Sequence, residues 1–264
     1  MSQAFTQIDA FTAEPFKGNP AAVCVLERPQ EESWMQKVAQ EMNLSETVFL
    51  QENGPAHYQI RWFTPVAEVD LCGHATLASA FVLFQKHPQM DEVKFDSRSG
   101  SLFARRRGDW IELDFPTMVP EPKSISPQIL QALGVKAIEG STGRTPFDDL
   151  IEVESEEVLR GMNPDFVALA KQKDSRGFIV TTRGSGDYDF LSRYFAPALG
   201  INEDPVTGSI HCALAPYWAD KLGKNEMLAY QLSARGGVLK LNLKDERTLI
   251  AGQAIQTLRG EILV

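Results

Sequence analysis

Two stretches of the chain carry apolar residues almost all the way round a helical wheel: GHATLASAFVLFQKH, opening at Gly73, and GSIHCALAPYWADKL, opening at Gly208. A helix without a polar face has to be covered on every side, so each stretch predicts a buried central helix. Short alternating or β-branched runs at 58–63, 93–95, 110–115, 178–182 and 239–243 read as strands. The segments Asp96-Ser97-Arg98-Ser99-Gly100-Ser101 and Arg107-Gly108-Asp109 have hairpin-turn composition, which predicts largely antiparallel pairing. Amphipathic patterns at 31–42, 126–133 and 164–173 predict surface helices. The stretch 116–127 holds Pro116, Pro120, Pro122 and Pro127, so it cannot be a helix interior or a central strand. It is the expected linker, giving domains 1–117 and 118–264.

The two central helices belong to a longer internal repeat. Arg61-Trp62-Phe63-Thr64-Pro65 and Arg193-Tyr194-Phe195-Ala196-Pro197 share an Arg-aromatic-Phe-x-Pro pattern with an offset of 132 (195 − 63), half of the 264 residues. Each continues through an acidic stretch, Glu68-Val69-Asp70 or Glu203-Asp204, into its Gly-opened helix. The expected fold is α+β: two pseudo-symmetric domains, each a mainly antiparallel sheet (an open barrel) wrapped around a central helix, facing a shared cleft.

Composition narrows the function classes. Thirty-five acidic against 26 basic residues give a net charge of −9, which opposes binding to nucleic-acid phosphates or to anionic lipid. The Arg105-Arg106-Arg107 run reads as a solvated face. The longest apolar run, 75–84, falls well short of the roughly 20 residues of a spanning helix. The opening MSQAFTQIDAF lacks the basic and apolar regions of a signal peptide. A cytoplasmic protein with no membrane or nucleic-acid partner is expected. Cys24, Cys72 and Cys212 form no CxxC or Cys/His cluster, so they read as reduced thiols and no metal site is expected. Phosphate-loop, dinucleotide and GxSxG signatures are missing.

The candidate chemistry gathers at the two helix starts. Uncapped N–H groups and the helix dipole favour an anion there, and a glycine permits close approach. Gly73 and Gly208 are therefore candidate anchors for a substrate carboxylate, although either glycine could simply allow a tight turn. Glu46 sits where an amphipathic helix gives way to an apolar strand, and partial burial there would suit a carboxylate for accepting and returning a proton. Its repeat partner at an offset of 132 is Phe178, so one base is expected rather than two. His74 adjoins the first helix start; Asp204 and Ser209 flank the second, where capping would also explain them. Cys72 lies where a helix terminus can lower a thiol pKa. Its repeat partner is Pro205 at an offset of 133 or Thr207 at 135, and neither is a second thiol. Cys212 and Cys24 read as core.

These residues resemble the phenazine biosynthesis PhzF-like family, whose fold is similar to diaminopimelate epimerase. The resemblance rests on Asp9-Ala10-Phe11-Thr12, Phe16-Lys17-Gly18-Asn19-Pro20-Ala21-Ala22-Val23, Leu44-Ser45-Glu46-Thr47, Phe63-Thr64-Pro65, Cys72-Gly73-His74-Ala75-Thr76 and Glu203-Asp204-Pro205-Val206-Thr207-Gly208-Ser209. It implies an isomerase that uses no pyridoxal phosphate, metal or nucleotide cofactor, with Glu46 as acid/base, assisted by His74, Asp204 and Ser209. Asn19, Gly73 and Gly208 are the implied substrate-binding residues, and a homodimer is the implied assembly. In the phenazine enzyme the substrate is trans-2,3-dihydro-3-hydroxyanthranilate; the 232–237 and 251–254 segments look more like other relatives, so that substrate is not expected here.

Two other readings stay open. An amino-acid racemase or epimerase could use Cys72 with Glu46 or Asp204. Alternatively, a non-catalytic small-molecule binding protein of the same fold would have Glu46 turned away from the helix starts or locked in an ion pair.

Overall fold

The computed structural model of the chain describes residues 2–263. In chain order its elements are β1 (Ser2–Ala10), β2 (Asn19–Leu26), α1 (Glu32–Met42), β3 (Glu46–Gly54), β4 (His57–Phe63), β5 (Glu68–Val69), α2 (Gly73–Lys86), β6 (Glu92–Ser97), β7 (Gly100–Arg107) and β8 (Trp110–Pro116). There follow β9 (Glu121–Pro122), α3 (Pro127–Leu133), β10 (Thr142–Arg144), β11 (Asp148–Glu152), α4 (Glu156–Gly161), α5 (Phe166–Leu169), β12 (Gly177–Arg183) and β13 (Phe190–Phe195). The last are α6 (Gly208–Leu222), β14 (Glu226–Gln231), β15 (Gly237–Lys244), β16 (Arg247–Gly252) and β17 (Ala254–Leu263). Each strand expected from alternation lies inside one of these strands, and both Gly-opened helices are present as α2 and α6.

The chain divides into two compact units, Met1–Phe115 with Leu249–Val264, and Pro116–Thr248. In the first, β1 pairs antiparallel with both β2 and β17. Pairing then runs parallel from β2 to β3, antiparallel to β4, parallel to β6 and antiparallel to β7. The second unit repeats this alternation of directions: β10–β11 antiparallel, β11–β12 parallel, β12–β13 antiparallel, β13–β14 parallel and β14–β15 antiparallel. Each unit thus has two parallel pairs where hairpin composition predicted mostly antiparallel ones. Parallel neighbours need a crossover, usually a helix, and α1, α2 and α6 lie in such crossovers.

The domain expectation placed 118–264 together, whereas residues 249–264 group with the first unit. The physical reason is the β1–β17 ladder, which runs from Ser2↔Leu263 to Ala10↔Ala254 with one register shift between Gln7 and Ile8. The expected helix at 164–173 narrows to α5, because the Lys171 and Gln172 N–H groups donate three residues back, to the Ala168 and Leu169 carbonyls, and tighten the helix to an end.

Each central helix is the core of its unit. On α2, Ala75, Leu77, Ala78, Ala80 and Leu83 are fully buried, and the helix packs against β1, β2, β3, β7 and β17. On α6, Pro216 cannot donate to the Cys212 carbonyl. That carbonyl instead accepts from Met118 N–H at 3.0 Å, which fixes the Pro-rich linker to the helix. Trp218 is fully buried, stacks on Phe190 at 5.6 Å and donates its indole N–H to Thr181.

His211, also fully buried on α6, sets a pH limit on this packing. Its Nδ1 lies 2.8 Å from the Thr207 carbonyl, and Nε2 has no hydrogen-bond partner among the described residues. Burial pushes the imidazole down to about 4. The unfolded chain protonates near 6.5 and the native chain only near 4, so stability is full above that window and is lost as pH falls through it. Urea unfolding at pH 7 and pH 5 is expected to cost the wild type about 2 kcal/mol more than it costs His211→Leu. Equal losses in the two proteins would contradict this.

Candidate active site

The first unit brings Glu46, His74, Cys72 and Asn19 together from three short connections. Helix α1 ends at Asn43, whose left-handed backbone (φ 49°) and N–H bond to Ala39 turn the chain into β3, with Glu46 as its first residue. Strand β3 pairs parallel with β2, placing Ala21 beside Glu46. Asn19 opens β2 straight after Gly18, which has φ +64° and leaves a would-be Cβ only 2.1 Å from the Ala10 carbonyl oxygen, so only glycine fits there. Cys72 is the N-cap of α2 and His74 its second residue. The Cys72 side chain makes no capping hydrogen bond, and all four residues are at least nine-tenths buried.

His74 is the centre of this group. Its Nε2 lies 3.0 Å from Glu46 Oε2. Neither atom makes an aligned hydrogen bond, so the contact is electrostatic. On its other side, Nδ1 is 3.2 Å from Asn19 Nδ2 and 3.5 Å from Cys72 Sγ. In the neutral ring, an amide N–H donating to Nδ1 leaves the one proton on Nε2, the nitrogen on the Glu46 side. Asn19, expected to bind substrate, therefore spends a donor on orienting His74. Burial pulls the imidazole down, while a Cys72 thiolate and the Glu46 carboxylate pull it up, and the net direction is well above the ordinary 6.5. Glu46 is in an ion pair, the arrangement that would favour a binding protein, but its partner is His74, itself a proton carrier, rather than a lysine or arginine.

Cys72 departs from expectation. Burial, and then the Glu46 carboxylate, push its thiol up to about 11 instead of lowering it. At neutral pH it is a thiol, and Glu46 is the charge acting on His74. Cys24 and Cys212 lie in the core with thiols at about 12. The alkylation rate of Cys72, followed by peptide mass, is expected to rise about tenfold per pH unit between pH 8 and 10. In Glu46→Gln it should be faster at pH 8, because the charge opposing the thiolate is gone. A rate independent of pH over this range would contradict this assignment.

The second unit builds a matching helix start from different side chains. Thr207 is the N-cap of α6, Gly208 its first residue and Ser209 its second. Asp204, 9% exposed, accepts from Thr207 Oγ1 at 2.5 Å and donates its N–H to the Tyr194 carbonyl. Gln231, fully buried at the end of β14, holds this turn from behind. Its Nε2 donates to the Asp204 carbonyl (2.9 Å) and to Thr207 Oγ1 (3.1 Å), and its Oε1 accepts from Thr207 N–H (2.8 Å). Sequence reading missed Gln231, whose side chain is one more alternating position in a strand.

Strand and helix registers correct the repeat. Thr47 pairs with Phe63, and Phe178 with Phe195, so the counterpart of Glu46 is Gly177 rather than Phe178. A Cβ on Gly177 would lie 2.4 Å from Tyr194 Oη, and that hydroxyl donates to Asp148, which is also paired with Arg176. No carboxylate can occupy the position. The two N-caps, Cys72 and Thr207, are 135 apart, which resolves the uncertain register in favour of Thr207 and pairs His74 with Ser209.

Among the described residues no helix is long and apolar enough to cross a membrane. A family model described as phenazine biosynthesis-like protein matches residues 8–260. The chain is 52% identical over 261 residues to an uncharacterized isomerase of Halalkalibacterium halodurans, covering 97% of each protein. A crystal structure of a PhzF-family phenazine biosynthesis protein from Enterococcus faecalis superimposes with a TM-score of 0.94, at 44% identity and full coverage of both chains. A hydroxyproline epimerase from Agrobacterium vitis shares the fold at 11% identity, with a TM-score of 0.63 over 99% of this chain and 92% of that one. The α+β, epimerase-like architecture built by the repeat and the family match over nearly all of its length agree: this chain is an isomerase of the phenazine biosynthesis-like, PhzF family.

Proposed function

We propose that the protein isomerises a small carboxylate-bearing substrate by a one-base proton shift, with Glu46 taking the proton from one atom and returning it to another on the same face. The observation that carries this reading is the buried Glu46 Oε2 at 3.0 Å from His74 Nε2, with no aligned hydrogen bond to either atom. Such a carboxylate is held beside a proton carrier by an ion pair and keeps its lone pairs free of aligned hydrogen bonds, so it can accept a proton. His74 keeps an N–H at the same place and supplies a donor for charge developing on the substrate. The start of α2, at Gly73, takes part of the carboxylate. We further assign Asp204, Ser209 and the Gly208 helix start to substrate binding in the second unit, and a cytoplasmic homodimer as the working form.

A racemase or epimerase using Cys72 with Glu46 or Asp204 is disfavoured by the Cys72 thiol, held up at about 11 by burial and the Glu46 carboxylate. The reading is tested by incubating cyclic and amino-acid carboxylates, each beside its amide or ester, with the protein in deuterated water and following C–H signals by NMR. Exchange in a carboxylate and not in its uncharged counterpart is expected. Equal exchange in the esters would remove the carboxylate from the reading, and no exchange in any compound would favour the binding protein.

A further inference from the structure

We propose that Glu46, Cys72 and His74 form a three-ligand trap for a thiophilic divalent cation, of the zinc or cadmium type, and that the bound cation blocks the site. One sulfur, one imidazole nitrogen and one carboxylate oxygen from these residues lie within 4.8 Å of one another. Each residue is at least nine-tenths buried. The second observation is that Glu46 Oε2 and His74 Nε2, both buried, face each other across 3.0 Å as an ion pair and neither makes the aligned hydrogen bond that a buried polar atom normally has. No second such trio occurs among the described residues.

The donor set fits the ion. Zinc takes sulfur at about 2.3 Å and nitrogen or oxygen at about 2.0–2.2 Å in a tetrahedron. Neighbouring ligand atoms in such a tetrahedron are then roughly 3.4–3.6 Å apart. Cys72 Sγ lies 3.5 Å from Nδ1 and Glu46 Oε2 3.0 Å from Nε2; a cation takes one of these nitrogens, so the imidazole has to turn as the trio contracts by about 1 Å from its 4.8 Å limit. Charge balances as well: the cation replaces the thiol proton and one proton of the His74 imidazolium, both of which leave to solvent, and thiolate and carboxylate together cancel its two positive charges. The burial that opposes a bare thiolate therefore does not oppose a metal thiolate. Three protein ligands leave the fourth position to water. Binding itself does not depend on the proposed reaction. The block does, because it rests on Glu46 being the base whose lone pair the cation takes.

The test uses the full-length, metal-free protein. Zinc chloride is titrated in competition with a chromogenic chelator, and cobalt chloride is followed by the thiolate-to-cobalt charge-transfer band in the near ultraviolet. One equivalent, release of two protons, one from Cys72 and one from His74, and a charge-transfer band are expected. The band should vanish in Cys72→Ser, with zinc affinity down at least about 100-fold. It should persist in Cys212→Ser, and Glu46→Gln should keep the band while binding zinc about tenfold more weakly or worse. Circular dichroism of each variant separates loss of a ligand from loss of fold. Undiminished zinc binding in folded Cys72→Ser, or no cobalt band in the wild type, overturns the site and leaves the proposed reaction standing. Stoichiometric binding with undiminished proton exchange overturns the block, and with it the role given to Glu46.

Discussion

Glu46→Gln is expected to fold normally and to lose proton-transfer turnover by about 100- to 10,000-fold. The substitution keeps the side chain's length and shape, and the position is 9% exposed at the start of β3, where backbone pairing to Ala21 and Thr47's partner Phe63 is untouched. The amide gives up the ion pair with His74 but can turn its carbonyl toward Nε2 as an acceptor. A stability loss of about 1–3 kcal/mol is therefore expected, with the fold kept. What the amide cannot do is accept and return a proton. Cys72 does not substitute for it, because its thiol stays protonated well above neutral pH. Deuterium incorporation by NMR, with thermal unfolding as the control, measures both effects. Exchange within a few-fold of wild type in a folded variant would take Glu46 out of the chemistry.

Gln231→Leu carries the largest expected stability cost. Gln231 is fully buried and makes three hydrogen bonds to the Asp204–Thr207 turn. Leucine has similar bulk and returns none of them, so Thr207 N–H and the Asp204 carbonyl lose the partner that Gln231 supplies. Leaving buried donors and acceptors unmatched costs about 1–3 kcal/mol each, so a loss of about 3 kcal/mol or more is expected from urea unfolding at unchanged slope. Because the turn also fixes the Asp204 carboxylate and the first residues of α6, turnover should fall more than KM changes. A loss below about 1 kcal/mol in Gln231→Leu would mean that other contacts hold the turn.

Much of this arrangement was legible because it is written as local pattern. The two apolar helices announce themselves by having no polar face, and the Arg-aromatic-Phe-x-Pro motif fixes β4 and β13 as counterparts. The structure adds why that motif recurs: Arg61 pairs with Glu68 and Arg193 with Glu203, and each guanidinium lies about 5 Å over the Phe of its own strand, at 5.1 and 5.0 Å. What was not legible depends on pairing between distant segments. A single offset of 132 could not represent two registers, 131 at β3/β12 and 135 at the helix starts, because the connecting segments differ in length, and so Phe178 stood in for Gly177. The β1–β17 ladder joins the two ends of the chain and has no local signal.

Site residues divided in the same way. Glu46 and His74 were visible as polar groups in apolar surroundings, and the structure places them 3.0 Å apart. The direction of the Cys72 shift was not visible. A helix start favours the thiolate, burial opposes it, and only the packed structure shows burial to be the larger effect. Asn19 and Gln231 act through other side chains, one on His74 and one on Thr207 and Asp204, and such relations exist only after folding.

The central claim is that one base, on one face, moves the proton. It is tested most directly with a substrate from the exchange screen carrying deuterium at the migrating position, turned over in ordinary water and quenched within the first turnovers. The account predicts that a measurable fraction of product keeps the deuterium at its new position, because the proton held by Glu46 is returned before it escapes. Product that contains solvent hydrogen only, with inversion at a single carbon, would contradict it and point to two bases.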